Sequence, residues 1–141
     1  MTHSKLGFHV AGDNGKILGY IQNSQSPIVK LFNFPSDTDV NAIRQQNPNI
    51  LIVYRQYLND ASGNEYNYNT ISPDDFFNHP KFSDAFAKLK GKGIIWEGIN
   101  EPVIRTQAEA TALNNWYVRF AQLLHAQGEK VAAFSFSTGN P

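Results

Sequence analysis

Two glutamates, an asparagine and a proline crowd into the segment Trp96-Glu97-Gly98-Ile99-Asn100-Glu101-Pro102. A carboxyl kept partly neutral can protonate a poor leaving group such as an ether oxygen, and a neighbouring amide can hydrogen-bond a hydroxyl. Pro102 fixes one backbone torsion and turns the chain away, which would hold the carboxyl of Glu101 at a surface. The same tripeptide also suits the start of a helix, with Asn100 as N-cap, Glu101 near the positive end and Pro102 in the first turn. Position in the fold decides between the two.

The flanking pattern supplies that position. Apolar runs rich in β-branched and aromatic residues occur at residues 6–10, 28–34, 50–54, 93–96 and 131–136, and each reads as a strand. Between them lie helical spacings. Lys16 to Ile21 reads as a short helix, and Ser36 to Arg44 as another that ends before Asn47-Pro48. A polar, tyrosine-rich loop from Asn59 to Thr70 leads into Ser72-Pro73-Asp74-Asp75, a cap with proline at the first helical position, and a break is expected near His79-Pro80. Trp116, Phe120, Leu123 and Leu124 share one helical face, and Gly128 stands where a C-terminal cap belongs. Strands alternating with helical crossovers imply an α/β fold with a parallel sheet of about five strands and four crossovers, open or closed. The segment around Glu101 then follows the fourth strand, at the carboxyl end, where parallel α/β folds bind ligands.

There the chain resembles the clan of retaining (β/α)8-barrel glycoside hydrolases that includes cellulase-like, mannanase-like and xylosidase-like enzymes. Their fourth strand ends in Asn-Glu-Pro, and a Trp-Glu pair upstream recurs in some members. The resemblance implies that residues 1–141 are the N-terminal portion, strands one to five, of a single barrel domain. It implies Glu101 as general acid/base and Asn100 as the amide that meets a sugar 2-hydroxyl. The clan's nucleophile is a glutamate ending strand seven, which these five strands do not include, so residues 1–141 alone are expected to be inactive.

Glu97 does not fill that role, because four residues along a strand separate it from Glu101 by about 13 Å, against about 5–5.5 Å for a retaining pair. It is expected inside the barrel, neutralised by Lys30 of strand two. His9, Asn33, Tyr54 and Arg55 end strands one to three, and Asn140 follows strand five; all five are candidate substrate-binding residues. For Arg55 an ion pair at the rim is an equal expectation, and for His9 a structural role is the commoner outcome. Tyr57, Tyr66 and Tyr68 could stack on sugars or simply pack their loop.

Lysine plus arginine equals aspartate plus glutamate at 12 each, so no net field draws nucleic acid or an anionic membrane, and a neutral carbohydrate is the expected partner. Cysteine is absent, the four histidines lack metal-ligand spacing, and the glycines after strand one fit no phosphate loop. No cofactor and no metal are therefore expected. No secretory leader or apolar span is legible, and the compartment stays open. Five strands of a barrel leave two sheet edges and an apolar interior, so self-association is expected. The alternative from another class is a non-catalytic carbohydrate-binding or assembly module derived from a barrel.

Overall fold

The computed structural model describes residues 8–11, 16–33 and 40–134. Strands and helices follow in the order β1 (Phe8–Val10), α1 (Ile17–Ser24), β2 (Ile28–Phe32), α2 (Val40–Gln46), β3 (Leu51–Arg55), α3 (Pro73–Asn78), α4 (Pro80–Leu89), β4 (Ile95–Glu97), α5 (Gln107–His125) and β5 (Lys130–Ala132). Every strand pairs parallel with the next, in the spatial order β1-β2-β3-β4-β5. A doubly wound sheet reverses its strand order at a switch point. This one never reverses, so it has the α/β order of the first five strands of a (β/α)8 barrel.

Alternation along the strands sorts the side chains onto two faces. Val29 and Leu31 of β2 and Ile52 and Tyr54 of β3 are fully buried, whereas Ile28, Lys30 and Phe32 are only half-buried. Tyr54 stands in register with Trp96, and Arg55 with Glu97. The Tyr54 and Trp96 rings meet edge to face at 5.4 Å, and Trp96 packs on Phe82 and Phe86 of α4 at 5.3 and 5.1 Å. That is the helix-facing layer, and it holds the core. The opposite face carries Lys30, Phe32, Arg55 and Glu97.

Local chemistry fixes where the helices begin and end. Ser72 accepts the Asp75 N–H at 3.0 Å with Pro73 in the first turn, as the sequence predicted. The break at His79-Pro80 separates α3 from α4, and His79 caps α4 by accepting the Lys81 N–H at 3.3 Å. Thr106 and Glu109 form a reciprocal capping box, which starts α5 well before the apolar face at Trp116. Gly128 adopts φ 78° and donates to the His125 carbonyl, closing α5 as expected. The predicted caps between Ser36 and Asp39 lie outside the described residues. Strand three runs one residue further than expected, through Arg55, and strand five ends earlier, at Ala132.

Helix α5 reaches the end of β4 because residue 98 has no side chain. A Cβ at Gly98 would lie 2.8 Å from the Trp116 ring and 3.2 Å from that of Phe120, inside normal contact. Gly98→Ala must therefore push α5 away from the strand end. We expect it to cost about 1–3 kcal/mol of stability, read as a lower urea midpoint at unchanged slope.

Candidate functional site

Asn100 and Glu101 lie just past the carboxyl end of β4, and no helix begins there: α5 starts only at Gln107, capped by Thr106. The helix-start reading of Asn100-Glu101-Pro102 is thereby excluded. Glu101 instead takes φ 46°, a left-handed conformation that costs a non-glycine residue roughly 1 kcal/mol. Asn33 after β2 and Phe134 after β5 do the same, at φ 47° and 63°. Three of the four described non-glycine residues with positive φ thus lie at one end of the sheet, the end where such folds bind ligands, and the fourth, Gln25 at φ 49°, closes α1.

The Glu101 segment is braced from behind. Tyr117 of α5 is buried, and its hydroxyl donates to the Ile99 carbonyl at 2.7 Å. Burial, and then the charge of Glu97, push the Tyr117 phenol far above its ordinary value, so it remains a donor at any working pH. Pro102 is buried while Glu101 is exposed. Among the described residues Glu101 has no hydrogen-bond or ion-pair partner, so its carboxyl is presented and unspent.

Beneath it lies a charged layer on the face that turns away from the helices. Glu97 is 2% exposed and takes a 2.7 Å hydrogen bond from Lys30 Nζ, the pairing the sequence predicted across β3. Arg55, also buried, pairs with Glu65 of the following loop and lies over the Phe32 ring at 4.8 Å. Arg55 thus has the rim ion pair, and its Nε has no partner among the described residues. His9 sits edge-on to Phe32 at 6.1 Å. Burial, with Lys30 and Arg55, holds its pKa below the ordinary value, while Glu97 and Glu101 pull it up. Both carboxylates therefore act on the His9 side of the sheet.

The structure places Arg55, Asn100 and Glu101 at the carboxyl end of the sheet and His9 lower, level with Lys30, and it removes Tyr54 from the group. Tyr54 is fully buried in the helix-facing layer, because alternation turns it away from the face that carries Arg55. Asn33 is at the rim, but its side-chain oxygen accepts from the Tyr57 N–H at 2.7 Å and from Gln56 at 2.9 Å, which ties the ends of β2 and β3 together. Tyr57 packs its own loop, donating to the Gly63 carbonyl. Asn140 lies outside the described residues. The sequence reading missed Tyr117 and Glu65. An i+1 position beside Trp116 on an amphipathic helix gives no hint of a polar contact to a strand end, and Glu65 reaches Arg55 from within a loop.

Removing Lys30 would leave a buried carboxylate uncompensated. Because the lysine is a quarter exposed, water replaces part of the lost attraction, and Lys30→Met is expected to cost about 2–3 kcal/mol. Adding Glu97→Gln to that variant should recover much of the loss in a denaturation double-mutant cycle. No protein-family model, curated protein or solved structure matches this chain.

Proposed function

We propose that this chain contributes to a retaining O-glycoside hydrolase barrel in which Glu101 is the general acid/base and Asn100 binds the sugar 2-hydroxyl. The observation that carries the reading is the Glu101 carboxyl: exposed beyond β4, held on a strained backbone, braced through Ile99, and without a hydrogen-bond or ion-pair partner among the described residues. A carboxyl with only a structural role would be expected to have a partner. Glu97 and Glu65, each tied to a cation, illustrate the difference.

In this reading Glu101 gives its proton to the glycosidic oxygen as the bond to the anomeric carbon breaks. A carboxylate from a later barrel strand forms the glycosyl-enzyme, and Glu101 then takes a proton from the water that releases the sugar. Glu97 cannot serve as that nucleophile, since Lys30 holds it a layer below. Lys30 and Arg55 stabilise the floor of the site rather than touch the reacting atoms.

In a chain carrying the complete barrel, Glu101→Gln should lower kcat on substrates with poor leaving groups by about 10²–10⁴-fold. Activated aryl glycosides, which need little protonation, should suffer less in the first step. Equal activity of the variant on both substrate types would remove Glu101 from the reaction. Residues 1–141 alone should show no turnover and should self-associate through their sheet edges, which activity assays and light scattering check together.

A further inference from the structure

We propose that the hollow between the β3–α3 loop and α3 is a second carbohydrate-binding site, which holds one neutral sugar residue by aromatic contact and hydrogen bonds without acting on it. The cavity measures about 690 Å³, within the range of about 300–1,000 Å³ typical of small-ligand sites. None of its lining residues belongs to a strand or to the Asn100-Glu101 rim, so it is separate from the proposed reaction centre and does not depend on it.

Four aromatic rings line it. Tyr66 and Tyr68 come from the loop, and Trp116 lies at the floor, mostly buried and anchored by its indole N–H to the Ile71 carbonyl at 2.9 Å. The Tyr66 ring meets the His79 ring edge-on at 6.1 Å. Such faces suit the C–H face of a pyranose, which is apolar although its rim is all hydroxyl.

Some of the polar groups around these rings keep hydrogen-bonding capacity to spare. Asn69 and Asn78 line the hollow, and among the described residues neither uses its side-chain amide for another contact. Asp75 accepts the Ser72 hydroxyl on one carboxylate oxygen at 2.6 Å, and its other oxygen has no partner among the described residues. His79 accepts the Lys81 N–H on Nδ1, so its neutral ring carries the proton on Nε2. Burial, with the charge of Lys81, holds its pKa below the ordinary value, which keeps that ring neutral near pH 7.

The ligand class follows from the donor set. Among the described residues no lysine or arginine lines the hollow, and it carries a carboxylate, so phosphates and acidic sugars are disfavoured. A purely apolar molecule would strand the two amides and the Asp75 oxygen without partners. A neutral ring with many hydroxyls satisfies both the amides and the aromatic faces.

The test is an NMR titration of the whole chain with cellohexaose, xylohexaose and mannohexaose, following the His79 imidazole and the tyrosine ring signals. At least one oligosaccharide should shift these signals with a Kd on the order of 1 mM. Tyr68→Ala and the exposed-site variant Asn78→Ala, each checked for native circular dichroism, should weaken binding about tenfold. Glu101→Gln should leave it unchanged. The proposal is overturned if none of the three sugars shifts the His79 or tyrosine signals. It is equally overturned if folded Asn78→Ala binds as the parent does, or if binding disappears in Glu101→Gln and survives Tyr68→Ala, which would place the sugar at the strand rim.

Discussion

A buried carboxylate organises the face of this sheet that turns away from the helices. Glu97 ends β4 facing inward, almost without water, and a carboxylate in that position requires a cation within reach. Lys30, two strands away, supplies it, and the contact is possible only because β2, β3 and β4 run parallel in a fixed register, which sets Lys30 level with Val53 and Glu97 level with Arg55. A slip of one residue would turn Lys30 toward the helices and leave the carboxylate bare. The pair thus fixes the register of the three strands whose ends form the rim.

Above that layer, the fold holds one exposed carboxyl by means that all act from the helix side. Gly98 lets Trp116 and Phe120 close onto the strand end, Tyr117 grips the Ile99 carbonyl, and Pro102 is buried. Together they offset the left-handed backbone of Glu101, which would otherwise relax. Trp96, although part of the same short segment, serves the other layer. Its indole N–H donates to buried Glu129 at 3.1 Å, and its ring fills the core beneath α4. Neighbouring residues of one motif therefore divide between packing and presentation according to which face of the strand they occupy.

Much of this was legible in the residues themselves. The alternation of apolar runs with helical spacing implies the parallel α/β order, and the need to neutralise an inward glutamate points to Lys30. Ser72-Pro73 and Gly128 carried their turn chemistry openly. The apolar run ends at Tyr54 whereas the strand continues through Arg55, and since one residue exchanges the two faces of a strand, Tyr54 turns to the core and Arg55 to the site. The start of α5 was written in Thr106-Gln107-Ala108-Glu109, a capping-box spacing that lies outside the apolar stripe and so escapes a search by periodicity. Glu65 and Tyr117 were not legible, because they meet their partners only through the path of a loop and the close approach of a helix.

The central claim is that Glu101 exchanges a proton with the reacting oxygens, and azide rescue tests it most directly. In a complete-barrel chain, Glu101→Ala should stall at the glycosyl-enzyme formed from an activated aryl glycoside, since no base remains to activate water. Azide, a small nucleophile that needs no base, should fit the space left by the carboxylate, restore turnover and yield a glycosyl azide of retained anomeric configuration. Turnover by Glu101→Ala that is already near the parent rate, or a stalled variant that azide leaves unchanged, would contradict the account.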